Sequence, residues 1–530
     1  MKHKFFLLSF FAWMVLVSSC ASYKRQYSKE AEQWEQSIPP SEDLLRHTMY
    51  LVGDAGYSSA DDIAPVLKYL KSRLPAESKN SSVLFLGDNI YEHGMPPQED
   101  VAEREVAEMR LEAQLGITDS FKGRPVFIPG NHDWRGWGLK GLKRQENYVE
   151  KYLNKRNGKT EADEWENYFL PDGGCSGPDV VELNDDVVVL VVDSQWWLSD
   201  WDKQPKINEG CEARNRATFK FIFENVLRKY RNKHVVIAAH HPLYSYGPHG
   251  GGFTAKQHLF PLTELNPNLY IPMPVVGSLS ALFRGSIGSR QDLAHQDYKA
   301  FRSALLAGAK KNGKFIFVGG HEHTLQSIEQ GGQHFIVSGS GSKTSPVRLG
   351  KGAEFVTAAA GFSILRFYEG GETWVQFWEV NSDGAEAKLV FMKKIKGQLP
   401  AEAEQIQSDF PEYEQGDTLT MQTVSSNEVK PVGKLHKVVF GAHHRDLYLE
   451  KYPFPVLDLK TYQGGVIPVK QGGGNQTNSL RVTDANGKDY VLRGLTKDAS
   501  RFLPFPFNKM AAAKYLVEDN FLSTHPFAPL

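Results

Sequence analysis

The sequence predicts an α/β fold, a sandwich of strands alternating with helices, followed by a small β-rich C-terminal module. Three observations lead there. Short runs of branched and aromatic residues, bounded by polar ones, recur along the chain and read as buried strands. Most of these runs end in a cluster of Gly, Asp, Asn or His, which places polar side chains where strand becomes loop. That edge is where open α/β sheets bind their ligands. Beyond residue 335 the pattern turns to alternation of apolar and polar residues around Gly-rich turns, the signature of hairpins.

In chain order, the first strand, residues 48–52, delivers Gly53-Asp54-Ala55-Gly56. A helix follows over 61–74, because Ile63, Val66, Leu67 and Leu70 recur at helical spacing and Asp61-Asp62 suit its first turn. Residues 83–86 form the second strand and run into Gly87-Asp88-Asn89, with Tyr91 just beyond; a helix over 99–115 comes next. The third strand, 125–129, delivers Gly130-Asn131-His132-Asp133. A Val/Leu run at 187–192 ends at Asp193-Ser194. The strand at 234–239 delivers His240-His241-Pro242, and that at 314–318 delivers Gly319-Gly320-His321-Glu322-His323. Alternating segments 363–367 and 374–379 flank a turn at 369–372 and are expected to close the second sheet. Residues 248–313 form a long insertion with an apolar, Pro-punctuated stretch at 269–283, either a lid over the site or a packing insert.

A chain of 530 residues is too long for one core. With 41% hydrophobic and 23% charged residues its composition is that of a soluble globular protein, and a net charge of −1 gives no reason to expect nucleic acid as a partner. Lys2, His3 and Lys4 precede an apolar run, 5–17, too short to span a bilayer. The run ends Val17-Ser18-Ser19-Cys20, which resembles a bacterial lipobox, so residues 1–20 read as a lipoprotein signal peptide with Cys20 as lipid anchor; an ordinary secretory signal is the alternative. Lipidation would place the protein in a bacterial cell envelope, attached to a membrane and facing the periplasm or the cell surface. Cys175 and Cys211 then remain, and whether they pair is open. Residues 21–47 read as a tether, 48–397 as the catalytic domain, 398–432 as an acidic linker and 433–530 as the β-rich module.

The polar strand ends collect Asp54, Asp88, Tyr91, Asn131, His132, Asp133, His240, His321 and His323. Carboxylate, imidazole, amide oxygen and phenolate are ligands for di- or trivalent metals of hard or borderline character. Two such ions about 3.5–4 Å apart clamp the attacking and leaving oxygens of a displacement at phosphorus. A pair needs a bridging carboxylate, and Asp88, central in the set, is the obvious one.

The ordered blocks GDAG, GDNIY, GNHD, AAHH and GGHEH resemble the calcineurin-like metallophosphoesterase superfamily, and within it the purple acid phosphatases, whose second block carries a tyrosine. The resemblance spans residues 48–396 and implies a four-layer αββα metallophosphatase sandwich. It also implies that Asp54, Asp88, Tyr91 and His323 hold one metal, and Asp88, Asn131, His240 and His321 the other. A Tyr91 phenolate would favour Fe(III) at the first position, with Fe(II), Zn or Mn at the second; Tyr91 could instead pack beside the metals. His132 would stabilise the phosphate or protonate the leaving oxygen, and Asp133 would orient it. His249 would contact substrate, or else face solvent in its loop; the role of His241 is open.

The reaction so implied is hydrolysis of phosphate monoesters by a metal-bound hydroxide, on a phosphorylated small molecule or other phosphoester. A phosphodiesterase or nucleotide pyrophosphatase with the same site is the alternative, as is an envelope assembly module with a non-catalytic site. The C-terminal pieces at 441–445, 472–475, 479–484 and 490–493 resemble the lead-in to a surface-antigen-type outer-membrane barrel in a longer chain; a small accessory domain is the other reading.

Overall fold

A computed structural model describes residues 21–395, apart from Ala60, Glu161, Pro205, Lys206, Leu265 and Pro267, together with the backbone of four strands between 419 and 493. Residues 1–20, read from the sequence as a signal peptide ending in Cys20, lie outside the described residues, as do the segments 441–445 and 472–475. The chain divides into two units, Met1–Cys211 with Tyr230–Leu399, and Glu212–Lys229 with Pro400–Leu530.

The elements follow in order: β1 (Gln26–Tyr27), β2 (Leu45–Val52), α1 (Pro65–Arg73), β3 (Ser81–Phe85), α2 (Val101–Leu115), β4 (Arg124–Phe127), α3 (Asn131–Trp134), α4 (Gly138–Arg156), β5 (Asp179–Glu182), β6 (Val187–Val191), α5 (Ser194–Leu198) and α6 (Arg216–Lys229). Then come β7 (His234–Ala238), α7 (Ala255–Leu259), α8 (Pro274–Ser286), α9 (Gln296–Asn312), β8 (Ile316–Gly319), β9 (Leu325–Gln330), β10 (Gln333–Ser338), β11 (Ala353–Thr357), β12 (Gly361–Tyr368), β13 (Thr373–Val380) and β14 (Ala387–Ile395). The first helix begins at Pro65 rather than 61, since proline suits the first helical position, where no N–H is needed.

In the first unit one sheet runs β14-β13-β12-β2-β3-β4 and the other β1-β11-β9-β10-β8-β7-β6-β5. The parallel cores are β2-β3-β4 and β6-β7-β8. Side chains alternate across each strand. Met49, Leu51, Leu84, Leu86, Val126 and Ile128 meet residues of β6, β7, β8 and β10 in the core between the sheets. Their neighbours Tyr50, Val52, Val83, Phe85 and Phe127 face α1, α2 and α4 on the outer side. On the far side Trp197 of α5 meets Phe301 of α9. The result is the expected αββα sandwich.

Three expectations change. The 363–379 hairpin extends the first sheet through pairing of β12 with β2, which covers the β2 edge that the parallel strands leave open. Residues 21–47 are part of the domain rather than a tether. β1 pairs with β11, Ser22 bridges Val347, Tyr27 and Trp34 lie against the inter-sheet core, and burial of those two rings holds the segment down. The insertion proper ends before α9, which returns the chain to β8. The pairing of Cys175 and Cys211, left open by sequence, is a disulfide.

In the second unit, β15 (Leu419–Ser425), β16 (Glu428–Leu435), β17 (Ser479–Thr483) and β18 (Asp489–Arg493) make an antiparallel sheet in the order β16-β15-β17-β18. Two of these strands include residues assigned to the linker. Their own polarity hides them: β15 pairs on one edge with the adjacent β16 and on the other with β17, some sixty residues on.

Candidate metal centre

Five of the six strands of the parallel cores, β2, β3, β4, β7 and β8, hand their terminal polar residues to one place. Among the described residues only four other than glycine have positive φ, and three are Asp54, Asp88 and His321 (φ 56°, 53° and 66°). A left-handed residue with a Cβ costs roughly 1–2 kcal/mol. Such strain persists where the surroundings over-determine it and clusters at functional sites. The motif glycines make room for the carboxylates. A Cβ on Gly130 would lie 2.2 Å from Asp88 Oδ1, and one on Gly320 would lie 2.5 Å from Asp54 Oδ2.

The second half of the centre is a set of acceptors without a proton between them. His240 Nδ1–H donates to the Leu86 carbonyl (2.8 Å), and His321 Nε2–H donates to the Gln291 carbonyl (2.9 Å). A carbonyl can only accept, so these bonds fix both tautomers. Burial lowers the proton affinity of both rings, leaving them neutral. His240 Nε2 and His321 Nδ1 therefore present lone pairs, and each lies 3.0 Å from Asn131 Oδ1. Ring nitrogens held this way are the usual state of metal-ligating histidines. The donor chemistry fits a cation.

In the first half, the buried Tyr91 phenol donates to Asp54 Oδ1 (3.0 Å), and His323 Nε2 lies 3.2 Å from the same phenol oxygen and 3.6 Å from Asp54 Oδ1. Burial, then the charges of Asp54 and Asp88, push the Tyr91 phenol well above its ordinary value. Burial, then the Asp88 charge, likewise raises the Asp54 carboxyl. Asp88 lies between the halves. Its Oδ1 accepts the His132 backbone N–H (2.9 Å) and lies 3.4 Å from His240 Nε2, while the ligand atoms of Asp54, Asp88 and His240 lie within 4.8 Å of one another. Burial alone would raise the Asp88 carboxyl; its surroundings, the His132 backbone N–H among them, hold it below its ordinary value.

His132 flanks this group, with Nε2 4.0 Å from Asp88 Oδ2 and its ring 4.5 Å from that of Tyr91. Its Nδ1 donates to the Glu92 carbonyl (2.8 Å), so Glu92 takes the orienting part expected of Asp133. The Asp133 carboxylate, fully buried, accepts backbone N–H groups from Gly130, Asn89 and Ile90 and the Gln145 amide. It fixes the loops that follow β3 and β4 to each other and has no oxygen to spare for the His132 ring. Burial, with the Asp88 charge second, pushes its carboxyl up to about 7.

His249 reaches the same site from the insertion. Its ring lies 4.2 Å from that of His321, and its Nδ1 pairs with Asp292 (2.8 Å), a buried carboxylate also held by Arg284. His241 is buried and committed elsewhere: Nε2–H donates to Gln291 Oε1 (2.6 Å), Nδ1 accepts from Ser194 Oγ (2.8 Å), and the ring lies 4.2 Å from His321. It backs His321 rather than joining the acceptor set.

Gln291, Asp292, Glu322 and Lys343 escaped the sequence reading. Glu322 stood inside the GGHEH block; it is buried and accepts the Gly250 N–H (2.9 Å), bracing the His249 loop. Lys343 sits 3.9 Å above the Tyr91 ring and 4.1 Å above Tyr57. Gln291, Asp292 and Lys343 lie in stretches with no local motif, so no sequence signal pointed to them.

The family profile of calcineurin-like phosphoesterases matches residues 47–271. Among solved structures the chain is similar to GAP50, the anchor in the inner membrane complex of Plasmodium, at 14% identity over 66% of this chain and 90% of that one, with a TM-score of 0.40. It is also similar to purple acid phosphatase PPD1 from yellow lupin (Lupinus luteus) seeds, at 13% identity over 66% of this chain and 53% of that one, with a TM-score of 0.36. The chain thus spans about half the length of the lupin protein. No curated protein matches the sequence.

Proposed function

We propose that residues 47–271, which match the profile of calcineurin-like phosphoesterases, belong to the catalytic domain of a dinuclear phosphomonoesterase acting at a bacterial membrane. The observation that carries the proposal is the convergence of His240 Nε2, His321 Nδ1 and Asn131 Oδ1 without a shared proton, beside a second group of Asp54, Tyr91 and His323, with Asp88 common to both. Asp54, Asp88, Tyr91 and His323 would hold one ion; Asp88, Asn131, His240 and His321 the other. Bound ions supply Lewis-acid charge and a water of lowered pKa.

The chain's own residues do the rest. His132, held by the Glu92 carbonyl through Nδ1–H, keeps Nε2 turned to the centre and, in its doubly protonated form, can give the Nε2 proton to the leaving oxygen. His249, fixed by Asp292, offers a second donor to a phosphate oxygen. Asp133 holds the loops that set the spacing between Asp88 and Asn131. Asp54, Asp88 and His321 are held in left-handed conformations before any substrate arrives, so little reorganisation remains for the reaction. Attachment through Cys20, with the site facing the periplasm or the cell surface, completes the reading.

The test is turnover of matched aryl phosphate mono- and diesters by the full chain, with Asp88→Ala as blank. Monoester turnover absent from the variant supports the proposal. Preference for the diester moves the function to a phosphodiesterase, and equal turnover by Asp88→Ala refutes the assignment of the centre.

A further inference from the structure

Helix α8 is built inside out. Its buried positions are Gly277 and Ala281, and a Cβ on Gly277 would lie 2.2 Å from the His258 carbonyl oxygen of α7. Its large side chains point away from the protein: Leu279, Leu282 and Phe283 are 56%, 63% and 53% exposed, and Ile287 just beyond is 60% exposed. An amphipathic helix on a globular protein turns its apolar stripe inward. Here small residues face the protein and branched and aromatic ones face out. Tyr270 and Ile271, before the helix, add to the same exposed run. Clustered apolar surface of this kind marks an interaction site.

We infer that α8 and the residues leading into it seat the domain on a phospholipid bilayer. Two further observations select that occupant. The first is where the chain enters: Ala21 N–H donates to the Phe253 carbonyl (3.0 Å), immediately before Thr254, which caps α7. Residue 21, the first beyond the proposed lipid-bearing Cys20, is thus held beside α7, against which Gly277 of α8 packs, so an anchor there would lie next to the exposed face. The second is charge. α8 carries no acidic residue, its one charged residue, Arg284, is paired inward with Asp292, and the edge of the patch carries Lys256, 4.7 Å over the Tyr270 ring. Apolar and aromatic residues with basic ones alongside are what an interfacial helix presents to anionic lipid. At 13 residues α8 is about 20 Å long, too short to cross a hydrocarbon core of about 30 Å, so it lies in the interface plane.

The seat is tied to the reaction centre. Arg284 Nη2–H donates to Asp292 Oδ1 (2.8 Å), and the same oxygen holds His249 against His321. A bilayer on α8 thus places the His249 side of the centre next to the lipid surface. The inference rests on the membrane attachment proposed above and not on which phosphoester is cleaved.

The experiment uses the full chain with Cys20→Ser, so that one added cysteine takes a nitroxide label, at Leu282→Cys or, as control, at Lys388→Cys on the exposed side of β14. Unchanged thermal unfolding establishes that the variants fold. On adding phosphatidylethanolamine/phosphatidylglycerol vesicles, collision of the label with oxygen relative to a water-soluble nickel chelate should rise several-fold at 282 and stay constant at 388. An aqueous label at 282 with vesicles present overturns the inference. So does a label at 282 already shielded without vesicles, which would mean that another part of the chain covers α8. Spin–spin broadening that grows with protein concentration would mean that a second copy does, and overturns it equally.

Discussion

His240 Nε2 lies 3.0 Å from Asn131 Oδ1, and neither atom has a proton to offer the other. The His240 proton is on Nδ1, given to Leu86. His321 repeats the arrangement from the end of the neighbouring parallel strand. Mutual repulsion of three acceptors is relieved by a cation. Chelator-treated protein should therefore gain stability on adding Zn or Mn, by about 2.7 kcal/mol at a hundredfold excess over Kd. His321→Ala should lose most of that gain, as read by thermal unfolding with and without metal.

Replacing His132 by alanine removes a side chain that approaches Asp88 without belonging to either acceptor group. Metal content should be unchanged, while kcat for a monoester falls by about 10²–10⁴, the range for loss of a general acid. Metal analysis alongside steady-state kinetics separates this from a ligand mutation.

Tyr91 is held as a neutral phenol by burial and by two carboxylates. Only a strongly Lewis-acidic ion will ionise it. Protein loaded with ferric iron should therefore show a visible phenolate-to-metal absorption band, and Tyr91→Phe should lack it while keeping the fold. A band of equal strength in the variant would assign Tyr91 to packing alone.

His47 and His234, one from each sheet, flank Phe367 at the inter-sheet core. Burial lowers both imidazoles from 6.5 to about 4. The unfolded chain takes up these protons near pH 6.5 and the folded chain only near 4. The neutral rings thus contribute stability in full above about pH 6.5, and it is lost as pH falls through that window, by up to about 3 kcal/mol for each ring. Melting temperatures from pH 7.5 to 4 should fall, and more shallowly in His47→Asn.

The Cys175–Cys211 bridge spans 36 residues of chain. A loop of that length restricts the unfolded state by about 3–4 kcal/mol in the chain-entropy account. Reduction should lower the unfolding midpoint correspondingly, with activity retained below it, because neither cysteine touches the metal centre.

The sequence by itself determined the strands and what they deliver. Period-two burial and strand-terminal polar residues are local facts, so Asp54, Asp88, Asn131, His240, His321 and His323 could be named before their positions were known. The tertiary structure decided which partner each of these residues has. That Asp133 braces loops while Glu92 holds His132, and that Gln291 and Asp292 arrive from an insertion to fix His321 and His249, depends on contacts between segments far apart in the chain. The same holds for the 21–47 segment, whose β1 pairs with β11, and for the pairing of β15 with β17 some sixty residues on. Hydrogen-bond partners and burial are properties of the folded chain. A residue's local sequence fixes its chemistry, and only packing decides what that chemistry faces.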